Sequence, residues 1–180
     1  MKSLLLGESN NPVYDFLKTK GETHCTADKL LDPLSAYDWV VSYGYRHILK
    51  KAQIDTCHNP ILNLHISYLP YNRGADPNYW SWVKNTPKGV TIHAIDEGID
   101  TGDIYIQKLL SFSDTETLSS SYTKLKNEIE ILFIDNFDSI INRSLLPFPQ
   151  KGKGSLHYVK DFPGIESWDT NVKNLIKNII

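Results

Sequence analysis

The sequence predicts an α/β fold, a Rossmann-like three-layer sandwich built on a mostly parallel sheet. Three observations carry that prediction. Short apolar runs rich in β-branched and aromatic residues recur at 2–7, 37–42, 61–66 and 90–95, each ended by a turn. Stretches with helical spacing fall between them. Toward the C-terminal end, apolar residues at 118, 122, 125, 129, 132, 133, 137, 140 and 141 advance in steps of three and four. That spacing marks a long helix packed along one face. Strands alternating with helices bury their apolar faces as layers around a parallel sheet.

The elements follow in order. Lys2 to Gly7 is an apolar run closed by glycine and reads as a first buried strand. Asn10-Asn11-Pro12 supplies a cap and a helix-starting proline, with Val13, Phe16 and Leu17 at helical spacing behind it. A weaker strand is expected over Thr23 to Ala27. Tyr37 to Ser42 is the next strand, Tyr43 to His47 turns off its carboxyl end, and Ile48 to Ile54 makes a short helix. Ile61 to Ile66 is a further strand that runs into the loop from Ser67 to Gly74. Asp76-Pro77 opens a helix with Tyr79, Trp80, Trp82 and Val83 spread around it. Val90 to Ile95 alternates as a strand, and Ile104 to Leu110 is its hairpin partner across a loop from Asp96 to Asp103. Beyond the long helix, Leu118 to Ile141, the composition changes. Gln150 to Gly154 is a flexible basic turn, Leu156 to Val159 a late strand and Asn171 to Ile180 a final helix. Residues 1–146 are therefore expected to form the main domain and 147–180 a short extension.

Size and composition narrow the function. A chain of 180 residues supports one core, and its 41% hydrophobic and 22% charged residues are ordinary for a soluble globular protein. No run is long enough to span a bilayer, and the start is too short for a signal peptide, so a cytoplasmic protein with no membrane association is expected. A net charge of −2 argues against nucleic acid as a partner, because such binders need surplus Lys and Arg to displace counterions. Cys25 and Cys57 show no metal-ligand spacing; two reduced thiols and no metal are expected. Gly7-Glu8-Ser9-Asn10 does not match the dinucleotide fingerprint.

Three polar residues stand at strand ends where parallel α/β sheets gather their functional groups. Asn63 and His65 are two apart, so both point to one side of an extended backbone while Leu64 points into the core. Asp100 lies on the loop after the neighbouring strand, within reach of the imidazole. An amide, an imidazole and a carboxylate suit acyl transfer to an amine. The amide can donate to the developing oxyanion, and the carboxylate can hold the imidazole and help remove the amine proton. The imidazole fits either as a cation or as a neutral proton relay. Taken singly, each residue also has an ordinary structural explanation, as a strand-end amide, a buried histidine or a turn aspartate.

The surrounding residues resemble the formyltransferases that use 10-formyltetrahydrofolate. Asn63-Leu64-His65-Ile66-Ser67-Tyr68-Leu69-Pro70 with Arg73-Gly74 matches the family pattern Asn-x-His-x-Ser-x-Leu-Pro, then Arg-Gly. Gly89-Val90-Thr91-Ile92-His93, closing in Asp100-Thr101-Gly102, matches a second pattern. The resemblance covers about residues 40–110 and is specific. It implies the formyltransferase fold, a catalytic trio of Asn63, His65 and Asp100, and 10-formyltetrahydrofolate as donor. It also implies a folate site along Tyr43, Gly44, Tyr45, Arg46, His47 and Ile48, and along Ile95, Asp96, Glu97 and Gly98. Within the family the chain looks most like the sugar N-formyltransferases, whose acceptors are dTDP- or UDP-linked amino sugars used for surface polysaccharides. That implies an acceptor side drawn from Tyr68, Arg73, Asn78, Tyr79 and Trp80, and it leaves room for a homodimer. A purine precursor or another small amine is the alternative acceptor, and a non-catalytic relative that binds folate or a nucleotide sugar is a third reading. Between the first strand and Tyr37 the chain is shorter than usual by about one βα unit, so one wall of the pocket is expected to be reduced. Little follows Pro147, so no C-terminal barrel of the tRNA-modifying relatives is expected.

Overall fold

The computed structural model describes residues 1–30 and 33–177. In chain order its elements are β1 (Lys2–Gly7), α1 (Pro12–Lys20), β2 (Glu22–Thr26), β3 (Trp39–Tyr43), α2 (Lys51–Ile54), β4 (Leu62–His65) and β5 (Arg73–Gly74). Then come α3 (Pro77–Val83), β6 (Gly89–Ala94), β7 (Ile104–Leu109), α4 (Leu118–Ile141), β8 (Leu156–His157) and α5 (Val172–Lys177). The main sheet has the order β2-β1-β3-β4-β6-β7. The first four strands pair in parallel, whereas β6 is antiparallel to both β4 and β7. The sheet is therefore mixed but mostly parallel, with β6 alone reversed.

Local chemistry sets the element boundaries. The Asn11 side chain accepts from the Tyr14 amide and Pro12 begins α1, as the capping pattern predicts. Thr117 and Ser120 cap α4 reciprocally. The expected helix over 48–54 is cut to one turn, because Lys50 is extended while Leu49 is buried against the sheet. Among the described residues no helix lies between β2 and β3. The final helix begins at Val172, and residues 178–180 of the expected span lie outside the described residues.

Strand parity divides the core in two. Leu5, Trp39, Val41, Leu62 and Leu64 face α1 and α4, where they meet Val13, Leu17, Leu125, Ile129, Phe133, Phe137 and Ile140. Leu4, Leu6 and Val40 face the other way and pack with Leu34, Leu49 and Ile61. The chain after α4 folds back instead of trailing away. Phe148 bridges to Ile104 beside β7, β8 pairs with β5, and α5 packs on α3. Residues 147–177 thus share the architecture of the preceding residues.

Phe133 is fully buried where α1 and α4 meet the sheet, in edge contact with Phe16. Phe133→Ala is expected to cost about 3–5 kcal/mol of stability. Urea unfolding checks this as a lower midpoint with an unchanged slope.

Candidate functional site

The site is built where β4, β6 and the β6–β7 loop meet. Leu62 and Leu64 are committed to the α4 side of the sheet, so Asn63 and His65 emerge together on the opposite face. In the antiparallel register Asn63 lies directly opposite His93. Asp100 sits in the left-handed region, with φ of 51°, a conformation that costs energy unless the loop imposes it. The loop does impose it. Asp96 accepts from the Gly98 amide and the Thr101 hydroxyl, and Gln150 donates to the carbonyls of Asp100 and Gly102 at 2.8 and 2.9 Å. Gly102 leaves no room for a side chain, since a Cβ would stand 2.0 Å from the Ala94 carbonyl oxygen.

The hydrogen bonds determine which atoms carry protons. His93 Nδ1 lies 2.7 Å from the Ala94 carbonyl, which only accepts, so the proton is on Nδ1 and Nε2 is a lone pair. Asn63 Nδ2 is 3.0 Å from that Nε2 and 3.1 Å from Asp100 Oδ1. A carboxylate also only accepts, so both amide hydrogens of Asn63 are engaged and its oxygen is left open. His65 Nε2 donates to the Asn72 carbonyl at 3.1 Å, which leaves Nδ1 bare and 3.6 Å from Asp100 Oδ2. The Gly74 amide donates to the same oxygen at 2.7 Å.

Burial alone pushes the Asp100 carboxyl up, but His65, His93 and the Gly74 amide outweigh it and hold the group well below the usual carboxylate range. Burial lowers the His65 imidazole, against the opposing pull of Asp100. At neutral pH the cluster is an ionised Asp100 beside a neutral His65. Among the described residues, no group of three or more His, Cys, Asp or Glu is placed to hold a metal, and no helix is long and apolar enough to cross a membrane.

Asn63, His93 and Asp100 border a cavity of about 740 Å³, the scale of a small-molecule site. Gly44, Tyr45, Arg46, His47 and Ile48 line one side of it together with Ile95, Asp96, Glu97 and Gly98, where the sequence places a folate site. Tyr43 does not join them, because the strand alternates there and its hydroxyl turns to Glu130 at 2.7 Å.

The five residues expected on the acceptor side do not line this cavity. Asn78 and Tyr79 are 3% and 2% exposed. Asn78 donates to the Leu118 carbonyl, joining α3 to α4, and Tyr79 packs edge-on against Phe162. Tyr68 lines a separate, smaller hollow with Pro70 and Phe148. Arg73 donates twice to Gln150 Oε1, and so braces the residue that holds the Asp100 loop. Trp80 lies behind the cavity with His157 stacked on it. The rest of the cavity lining includes Gly74, Ala75 and Asp76 together with His157, Tyr158 and Val159. The sequence signals for Gln150 and His157 were weak, since both lie in a segment read as turn and late strand. His93 carried a signal, as part of the second motif.

Residues 6–136 match the family described as Formyl transferase. The chain is 30% identical, over 145 residues and 81% of its length, to dTDP-4-amino-4,6-dideoxyglucose formyltransferase of Mycobacterium tuberculosis, covering 61% of that protein. It is 33% identical, over 99% of its length, to methionyl-tRNA formyltransferase of Pseudoalteromonas translucida, covering 55% of that protein. It therefore spans little more than half the length of these curated relatives. Among solved structures, the formyltransferase PseJ from Anoxybacillus kamchatkensis, in complex with UDP-4,6-dideoxy-4-formamido-L-AltNAc and tetrahydrofolate, superposes with a TM-score of 0.92. It is 39% identical, with 100% of each chain covered.

Gln150→Ala removes the two bonds that hold the Asp100 loop, each worth about 1 kcal/mol. The expected result is a stability loss of about 2 kcal/mol and faster amide exchange in the loop around Asp100, read by hydrogen–deuterium exchange.

Proposed function

The chain belongs to the formyl transferase family, and on that premise we propose that it moves a formyl group from 10-formyltetrahydrofolate to the amine of a nucleotide-linked amino sugar. The observation that carries the reading is the ionised Asp100 held among Asn63, His65 and His93 at the edge of a cavity of small-molecule size. The choice of acceptor is supported by the likeness to PseJ along its whole length and to the dTDP-4-amino-4,6-dideoxyglucose enzyme. Both names point to a 4-amino-4,6-dideoxyhexose on a UDP or dTDP carrier. The net charge of −2 weighs against the tRNA acceptor of other relatives. We place the reaction in the cytoplasm, its product serving surface polysaccharide such as O-antigen.

The folate side suits a flat heterocycle. Ile48, Leu49, Ile95 and Ile99 offer apolar walls, the loop backbone offers polar groups, and Gly44, with φ of 70°, has open space where a side chain would stand. The bound donor supplies the electrophilic formyl carbon and leaves as tetrahydrofolate.

The chain's own residues handle the amine. Asn63 was expected to donate to the oxyanion, but its amide hydrogens are engaged by His93 and Asp100. Its open oxygen is an acceptor, and we assign it to orient the N–H of the incoming amine. Attack turns that nitrogen into an ammonium, which must lose a proton. The Asp100 carboxylate and the bare Nδ1 of His65 are two bases within one cluster, 3.6 Å apart. A proton on Nδ1 makes His65 a cation paired with Asp100, and that charge stabilises the oxyanion.

Purified protein with 10-formyltetrahydrofolate and a panel of UDP- and dTDP-linked amino sugars tests the reading. Tetrahydrofolate release with a 4-amino-4,6-dideoxy sugar is the expected result. Measurable folate binding without turnover on any amine sinks it. His65→Asn should lower kcat by about a hundredfold or more while donor affinity stays the same. Because burial depresses its pKa, His65 is already in the base form at neutral pH and gains a proton only on acidification. The kcat/KM profile should therefore fall on the acid side with a midpoint below about 6.5. Loss of activity on the alkaline side instead would mean that His65 works as a cation from the start.

A further inference from the structure

We propose that His157 is a specificity-determining residue that donates one hydrogen bond from its ring to an oxygen substituent of the acceptor's sugar, beside the reacting amine. The inference rests on the amino-sugar reading above and adds a residue outside both sequence motifs.

Position comes first. In the β5–β8 ladder His157 pairs with Gly74, and its carbonyl accepts from the Ala75 amide at 2.9 Å. The Gly74 amide in turn holds Asp100 Oδ2. One backbone pairing therefore separates His157 from the reactive cluster, which favours a contact to the sugar over one to the distant nucleotide. The approach depends on glycine: at φ of 83°, a Cβ on Gly74 would stand 2.2 Å from the His157 carbonyl oxygen.

Orientation follows. The imidazole lies flat on the Trp80 indole, with centroids 4.2 Å apart and planes within 8°. Trp80 is itself buried in the α3–α5 core, so the imidazole cannot turn out of this plane without losing the stack. Its Nε2 is buried and has no hydrogen-bond partner among the described residues. His157 lines the cavity, and of its two ring nitrogens only Nε2 is buried without a partner, so we assign Nδ1 to the cavity.

Proton placement completes the argument. Burial and the nearby Lys84 ammonium both keep the ring neutral at pH 7, with Asp161 opposing them weakly. A neutral imidazole carries one proton. A buried N–H with no acceptor is rarer in proteins than an unpaired acceptor, so the proton belongs on Nδ1. His157 thus presents a single uncharged N–H donor to the cavity. Its natural partner is a hydroxyl or amide carbonyl oxygen, and an ammonium would be rejected. The opposite wall, Gly44 to Leu49 with Ile95 to Ile99, is left to the donor.

The test uses the full chain and two readouts. Nitrogen-15 NMR of the histidine rings at pH 7, assigned through His157→Phe, should show the Nδ1–H tautomer. A UDP-linked 4-amino-4,6-dideoxyhexose should perturb that signal, and UDP alone should not. In kinetics, His157→Phe keeps a flat ring on Trp80 and loses only the donor. KM for the amino sugar should rise about tenfold, the equivalent of one hydrogen bond, with kcat, donor affinity and melting temperature unchanged. An Nε2–H tautomer, or an unchanged KM in a folded His157→Phe enzyme, overturns the assignment while leaving the formyl-transfer reading intact. A wild-type protein that turns over no amino sugar overturns both.

Discussion

A buried carboxylate charge is the constraint from which the rest of this site follows. Asp100 keeps its charge in a largely desolvated position, and such a charge is costly unless surrounding donors satisfy it. The Asn63 amide and the Gly74 backbone N–H donate to it, and the rings of His65 and His93 enclose it at 3.6 and 3.5 Å. These groups come from β4, β5 and β6, and they surround a carboxylate carried on the loop after β6. The same charge dictates the orientation of the Asn63 amide, which then meets the lone pair that the Ala94 carbonyl leaves on His93 Nε2. A single ionised group thus settles the hydrogen-bonding roles of its neighbours before any substrate arrives.

The small β5–β8 ladder does more than close the chain. It presents the Gly74 amide to Asp100, sets His157 on the cavity wall, and lies beside the Arg73–Gln150 pair that braces the loop backbone. The segment after α4 therefore supplies part of the cavity wall, through His157, Tyr158 and Val159. One wall of the cavity comes from the loops at the ends of β3 and β6, and another comes from this later segment. Asn63, His93 and Asp100 lie on the cavity between the two.

Legibility varied with how local the governing interaction is. The α4 span was readable because its burial repeats every three or four residues, and residues 118–141 are helical as expected. The shared face of Asn63 and His65 was readable from strand parity. The role of Asn63 was not, since an amide donates or accepts according to what stands opposite, and His93 and Asp100 are 30 and 37 residues away. Tyr79 and Trp80 looked like ligand-stacking aromatics on a helix, yet α3 is buried nearly all round by α4 and α5. Arg73 was expected on the acceptor side, yet its hydrogen-bond partner is Gln150, 77 residues away.

Taken by itself, the sequence determined the strand and helix pattern, the shared face of Asn63 and His65, and the family to which their surroundings belong. These depend on periods of two and of three to four residues and on contiguous motifs, all of which are local. Only the tertiary structure decided which protons are free, which aromatic residues reach the cavity, and that Gln150 and His157 belong to the site at all. Those outcomes depend on pairings between segments far apart in the chain. β5 and β8, two residues each and about 80 apart, leave no pattern in the sequence until the fold brings them together.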